Sequence, residues 1–439
     1  MDILIKAAQL ILSLSIIVIL HELGHFIPAR WFKIRVEKFY LFFDPWFSLF
    51  KVNKGGTEYG IGWLPLGGYV KISGMVDESM DKEQMAKPPE PWEFRSKPAW
   101  QRLIVMVGGV TVNLILGMLI YTMVLFVWGR DFLPLSEVKY GIHPSEVMKA
   151  EGVQEGDRLL KLDGRTPRTL EELTKDILLT DAHTLTVERN GTEQEVKLSP
   201  DVSDKILNSG EKELFGIRIP FIVDTVMVGD NAEAAGVKKN DVMLAVNSTD
   251  TKFFGDFRKA LAEHKGAEVT LKVQRDGAPI AITVKVSEEG TIGIGNRSPD
   301  TYFNYGHETF SFGESIPAGI SLAMNTLTGY VSSLKLLFSK AGASQIGGFG
   351  SIGSMFPSTW NWQAFWSLTA LLSIILAFMN LLPIPALDGG HVMFLLYEMV
   401  VGKPAPQRVM EVAQMVGMVL LLGLMLFANG NDLFKGLNN

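Results

Sequence analysis

An apolar run from Ile3 to Leu20 ends directly in His21-Glu22-Leu23-Gly24-His25. The run is long enough to enter a bilayer, and His-Glu-x-x-His is the pattern that holds a catalytic zinc. On a helix His21 and His25 stand one turn apart on one face, so both imidazoles can reach the same ion. Glu22, beside the first histidine, is placed to take a proton from the attacking water. Two imidazoles and a carboxylate at the border of a span are costly unless they do chemistry. The placement predicts a metalloprotease with its active site in the membrane. No small-residue cleavage site follows the run, so it reads as a retained span and not a removed leader.

Three more segments qualify as spans: Leu103–Gly129, Trp362–Leu382 inside the charge-free stretch 341–387, and Val409–Ala428. In 316–338 the larger apolar residues Ile316, Ile320, Met324, Leu327, Val331 and Leu334 recur at helical spacing among many Ser, Thr, Asn and Gly residues. This predicts a helix on the membrane surface. Parity agrees: with four crossings the end of the third span returns to the side of the first motif. Arg30, Lys33, Arg35, Lys38, Arg95, Lys97 and Arg102 make loop 31–101 cytoplasmic by the positive-inside rule. The termini and the polar region 131–314 then face the periplasm. Pro28 is expected to disrupt or end the first helix.

The middle region is an internal repeat. Gly152-Val153, Asp157 and Arg189-Asn190-Gly191 return as Gly236-Val237, Asp241 and Arg275-Asp276-Gly277, at offsets of 84 and 86 residues. Phe215-Gly216-Ile217 has an echo in Ile292-Gly293-Ile294. Each unit reads as short strands, one helix (170–178; 254–262) and a hairpin with an Asn-Gly or Asp-Gly turn. The units resemble bacterial PDZ domains, with Asn247-Ser248 departing from the Asp163-Gly164 of the first copy. That resemblance implies binding of peptide C-termini or extended peptides along a strand edge; spacers with empty grooves are the plainer alternative.

The chain has no cysteine, so every zinc ligand must be His, Asp or Glu. A net charge of −6 shows no basic excess that would point to nucleic acid. The third ligand is expected on another span's end. Asp388, the first charge after 341–387, is the best candidate, with His391 its rival. Pro383 and Pro385 must interrupt the helix there, which is tolerated in a membrane only where protein or a water-filled cavity surrounds the backbone.

Together, the first-span motif, Asn380-x-x-Pro383-x-x-x-Leu387-Asp388-Gly389 and the intervening PDZ-like units resemble the bacterial site-2 proteases of the RseP type. The resemblance covers nearly the whole chain. It implies a zinc metalloendopeptidase with His21, His25 and Asp388 as Zn²⁺ ligands and Glu22 as base. It implies that Asn380 orients substrate or stabilises the oxyanion. It also implies that Tyr59–Ile72 is a membrane-re-entrant β-loop, with Gly67, Gly68, Tyr69, Val70 and Lys71 the substrate-pairing edge. Implied substrates are single-pass membrane proteins of the anti-sigma-factor kind, already trimmed outside the membrane, and remnant signal peptides. Two other classes use the same residues. A membrane-anchored scaffold is opposed by the intact Glu22 and Asp388, and a metal transporter by the scarcity of polar residues in the second and fourth spans.

The expected fold is an α-helical multi-pass inner-membrane protein with four transmembrane helices and a membrane-associated β-loop, carrying two inserted α+β PDZ domains. Its segments are the first helix (1–30), cytoplasmic loop (31–101), second helix (102–130), PDZ units (131–219 and 220–300), a linker with the surface helix (301–360), third membrane region (361–400) and fourth helix with tail (401–439). Residues 75–97 are expected to form a mobile loop, and Gly347–Gly353 a flexible or re-entrant turn. Gly108, Gly109 and Asn113 can serve either close helix approach or the lining of a cavity.

Overall fold

The computed structural model describes residues 2–75, 88–180, 182–209, 211, 213–337 and 347–437. Most of the expected mobile loop, 76–87, lies outside them. The chain divides into a helical unit, 1–129 with 309–438, and a β-rich unit, 130–308.

The helical unit contains α1 (Asp2–Trp31), α2 (Ala99–Trp128), α3 (Phe312–Leu337), α4 (Trp362–Leu381), α5 (Asp388–Val401) and α6 (Gln407–Leu437). Among the described residues, α1, α2, α4 and 407–433 of α6 are long and apolar enough to cross a membrane. The packing of α1 is the reverse of that of a helix in a soluble bundle. The buried face of α1 carries Gln9, Ser13, Ile17, His21, Gly24 and His25, while Ile3 and Leu4 are exposed. In lipid, apolar side chains lose nothing by facing out, and polar ones need partners inside. Gln9 donates to Pro357 O at 2.9 Å, and Thr369 Oγ1 to Ser13 Oγ at 3.0 Å.

Pro28 does not end α1, which continues to Trp31. A proline cannot donate to the carbonyl four residues back. The Gly24 carbonyl that this leaves over lies instead against Gly108 of α2, where an added Cβ would collide with it.

The expected surface helix α3 is docked on the bundle. Ser315, Gly319 and Ala323 share one face, and Ser315 and Ala323 are fully buried. Ala323 packs with Ile120, Tyr121 and Val124 of α2 and Ala370 and Ile374 of α4. Of the apolar stripe that suggested a membrane surface, Ile316, Ile320, Met324 and Val331 are exposed, while Leu327 packs against the bundle. Small residues let two backbones meet, with Leu322 and Leu327 packed alongside. Gly347–Gly353 is also more ordered than a flexible turn. Residues Phe349–Met355 form a short helix, and Asp432 accepts from the Gly348 and Ser351 N–H groups, both at 2.9 Å.

Between α1 and α2 lies an antiparallel hairpin, β1 (Val36–Lys54) and β2 (Thr57–Ile72). Sequence reading recovered part of β2 and missed β1. Residues 38–41 pair on one side with 58–61 and on the other with 68–71, while 50–54 pair with 57–61. The hairpin is therefore a bent four-segment sheet with 68–72 on its outside. The bend near Asp44-Pro45 breaks the alternation that marks a strand. It also exposes Trp46, Phe47, Leu49 and Phe50.

The β-rich unit contains two cores, one from Leu135 to Phe215 and one from Phe221 to Ile292. The two halves repeat in detail. Arg189 binds Asp157 and the Gly152 carbonyl, and Arg275 binds Asp241 and the Gly236 carbonyl. The hairpins turn at Asn190-Gly191 and Asp276-Gly277, all four residues at positive φ, as type I′ turns require. The echo shifts in register: Phe215–Ile217 pairs with Ile142–Pro144, but its counterpart against Val223–Val226 is Ile294–Asn296, two residues beyond the expected Ile292-Gly293-Ile294. The boundary expected at 300 moves, because Gly306–Glu308 pairs with Arg130–Phe132 and closes this unit. Among the described residues the helix Val202–Ser209 occurs only in the first repeat, and it was not foreseen.

Two predictions follow from this packing. Burial alone would raise the pKa of Asp241, but the Arg275 guanidinium and the Lys238 N–H hold it below the usual carboxylate value. Asp241→Asn should cost the second repeat about 3 kcal/mol at neutral pH, read by hydrogen exchange in 268–275. A depressed carboxylate stabilises above its unfolded pKa of about 3.9, so the deficit should shrink as pH falls below that. In the helical unit a Cβ on Gly319 would lie 2.5 Å from the Thr122 backbone nitrogen. Gly319→Leu should lower stability in detergent by about 1–3 kcal/mol, with Ile320→Leu neutral.

Candidate active site

The site is built where α1 meets α2. Gly24 packs on Gly108 and Gly109 so closely that a Cβ on any of the three would clash. Gly109 is the tenth residue beyond Ala99, so the contact is about 15 Å along α2 at 1.5 Å per residue. Close approach, one of the two expectations for these glycines, is realised: Gly108 meets the α1 backbone, and Gly109 leaves space for the imidazoles of His21 and His25.

Those imidazoles are held from behind. His25 Nδ1 is 2.8 Å from the Val105 carbonyl, which can only accept, so Nδ1 carries the proton and Nε2 presents its lone pair. His21 Nδ1 is 3.1 Å from the Asn113 amide. Asn113 is fully buried, and its other amide atom has no hydrogen-bond partner. With the amide turned over, Oδ1 accepts the His21 Nδ1–H and frees that Nε2 as well. Ser373 of α4 donates to the Asn113 carbonyl at 2.8 Å.

The third group arrives from the far side. The chain leaves α4 at Leu381, passes Pro383 and Pro385 without helix, and restarts at Asp388. Asp388 Oδ2 is 3.3 Å from both His21 Nε2 and His25 Nε2, which are 3.3 Å from each other. An ion with tetrahedral bonds of about 2.0 Å spaces its ligands about 3.3 Å apart. Asp388 Oδ2 is buried and receives no hydrogen bond. Three lone-pair donors thus converge, an arrangement that repels itself unless a cation sits between them. The residues present fit a zinc ion with one position open.

His391 lines the cavity but is outside this three-donor group. A second cluster, His143, Glu155 and Asp256, lies in the β-rich unit. There His143 already pairs with Glu155, which also binds Arg218. Asn380 Nδ2 stands 3.2 Å from His21 Nε2, on the rim of the donor triangle.

A 670 Å³ cavity opens beside the three donors. Glu22, Gly68, Tyr69, Val70 and Lys71 line it, together with Phe43, Asp44 and Gln414. Of the expected strand edge, Gly68 to Lys71 therefore flank the cavity, whereas Gly67 is not among its lining residues. A Cβ on Gly68 would press on the Tyr40 carbonyl and Val18 at 2.7 Å, so only glycine lets this strand lie against α1. Tyr69 stacks on Tyr40, ring centroids 5.3 Å apart, and donates to Asp44 at 2.8 Å. Sequence reading missed this Tyr40–Tyr69–Asp44 support and Gln414; pairing of the former depends on the unforeseen β1.

A methyl group at Gly109 would meet His21 Cε1 at 2.6 Å and overlap His25. Gly109→Ala should weaken zinc retention by roughly tenfold or more, measured by metal content after dialysis against a chelator, while Gly255→Ala, in open space, should not.

Known proteins resemble this chain over nearly its whole length. The model of peptidase family M50 matches residues 9–424. The chain is 28% identical to the regulator of sigma E protease of Haemophilus influenzae, covering 99% of this chain and 100% of that protein. It is 30% identical to a putative zinc metalloprotease of Xylella fastidiosa (strain Temecula1), covering 98% and 99%. Against the regulator of sigma-E protease RseP of Escherichia coli the identity is 27%, over 97% of each chain. The converging His21, His25 and Asp388 and the match over nearly the whole length lead to one conclusion: this chain belongs to peptidase family M50 and is a zinc metalloprotease of the site-2 type.

Proposed function

We propose that this protease hydrolyses peptide bonds within transmembrane segments of single-pass membrane proteins. The observation that carries the reading is the 3.3 Å triangle of His21, His25 and Asp388, set among helices able to span a bilayer and beside a strand edge. His21, His25 and Asp388 hold the ion. When bound, zinc supplies a Lewis acid that polarises a carbonyl and brings a water's pKa toward about 7.

The protein's own groups do the rest. Glu22 lines the cavity next to His21 and takes the proton of the attacking water, then returns it to the leaving amine. The Asn380 amide, 3.2 Å from His21 Nε2, donates to the carbonyl oxygen as it gains charge. A substrate helix hides its peptide bonds in its own hydrogen bonds and must be held extended to be cut. Residues Gly67–Lys71 pair with it as an added strand.

The chain lies in the bacterial inner membrane, with its termini and the β-rich unit periplasmic and the zinc near the cytoplasmic face. The Arg and Lys residues of 30–102 support that orientation. Anti-sigma-factor-like proteins, already cut outside the membrane, and remnant signal peptides are its substrates; relatives named as regulators of sigma-E support the first class. The PDZ-like repeats bind peptide ends or exclude substrates with intact outer domains.

Glu22→Gln should retain zinc and lower cleavage of a model single-pass substrate by about 10²-fold or more. Full cleavage by that variant would sink the assignment. Comparing membrane proteins that accumulate in cells carrying it should reveal the natural substrates as intact transmembrane stubs.

A further inference from the structure

The break between α4 and α5 places peptide groups at membrane depth without a helix to satisfy them. Inside the break, Ile384 N–H donates to Leu382 O and Leu387 N–H to Ile384 O. The Ala386 N–H is different: it crosses to α6 and donates to Gln414 Oε1 at 3.1 Å. Ala386 also has φ = 81°, a left-handed conformation that residues with a Cβ rarely adopt. Something outside the break must therefore hold it.

Helix α6 makes a second contact at the same place. A Cβ on Gly417, one turn beyond Gln414, would collide with the Pro385 carbonyl. The last span thus touches the break at Pro385 and Ala386, the third and second residues before Asp388. Gln414 is only 6% exposed, although it belongs to a helix whose apolar residues mostly face outward. An amide at that depth is costly unless it is used.

We propose that Gln414 is a positioning residue for the third metal ligand. Its amide oxygen fixes the Ala386 peptide in its left-handed conformation. That conformation sets the start of α5 and aims Asp388 at His21 and His25. The last span is then part of the metal site although it supplies no ligand. The proposal rests on the assignment of Asp388 as a ligand, and its test separates the two.

The full-length protein in detergent, loaded with zinc, is titrated with a competing chelator, and cleavage of a model substrate is followed in parallel. Gln414→Met keeps the shape and removes the acceptor. It should release zinc at roughly tenfold lower chelator concentration and lower kcat with KM unchanged. Gln414→Glu keeps an acceptor and should stay near the wild-type protein in both. Wild-type zinc retention and kcat in Gln414→Met would overturn the proposal, as would equal losses in the Met and Glu variants. If Gln414→Met fails to fold, the Glu variant decides: retained zinc and kcat support the acceptor role, and their loss overturns it. Asp388→Asn runs alongside. Undiminished zinc retention there overturns the ligand assignment itself, and the Gln414 proposal with it. Zinc loss in Asp388→Asn but not in Gln414→Met overturns the proposal alone.

Discussion

The bundle depends on one place where two helices meet without side chains. Gly24 on α1 and Gly108 and Gly109 on α2 bring backbone against backbone. Lipid gives apolar side chains no reason to gather, so helices associate through close packing and interior hydrogen bonds. This contact provides both. It receives the Gly24 carbonyl that Pro28 cannot donate to, and it brings Val105 O and Asn113 within reach of the two histidines. A larger residue at any of these glycines would hold the helices apart and leave the imidazoles without their supports.

A second constraint acts on the other wall of the cavity. Hydrolysis needs an open, partly polar space, yet peptide groups in a membrane must be satisfied. The break at 382–387 meets both demands through hydrogen bonds within itself and from Gln414. The sheet pairs 38–41 on both sides and leaves 68–72 outermost beside the cavity. In each case irregular or strand backbone is present where protein surrounds it and the chemistry requires access.

Much of this was legible in the sequence because it is local. The His21–His25 spacing, the Pro383 and Pro385 interruption, the Asp388 restart and the four apolar runs need only chain order and helical period. The repeat was legible for the same reason: Asp157 with Arg189 and Asp241 with Arg275 recur with their glycines at nearly constant offset. Other features were not. The β1 strand is obscured by its bend at Asp44-Pro45. For α3 the larger apolar residues drew the eye, but the closest contact is made by Ser315, Gly319 and Ala323, and of the stripe only Leu327 joins it among the described side chains. A large apolar stripe marks a buried face in water; beside lipid it marks the exposed one.

By itself the sequence determined the donor types, their placement on or just beyond segments apolar enough to span a membrane, and the reaction class they allow, because His-Glu-x-x-His at one-turn spacing and uninterrupted apolar runs carry their physics within a few neighbouring positions. Only the tertiary structure decided that Asp388, the sequence's preferred candidate over His391, reaches both imidazoles at 3.3 Å, that Asn113 supports His21, that Gly68 brings a strand against α1, and that Gln414 reaches the break. Each of these joins residues far apart in the chain, and whether two such groups lie 3 Å or 10 Å apart depends on how closely the backbones approach, which no local pattern encodes.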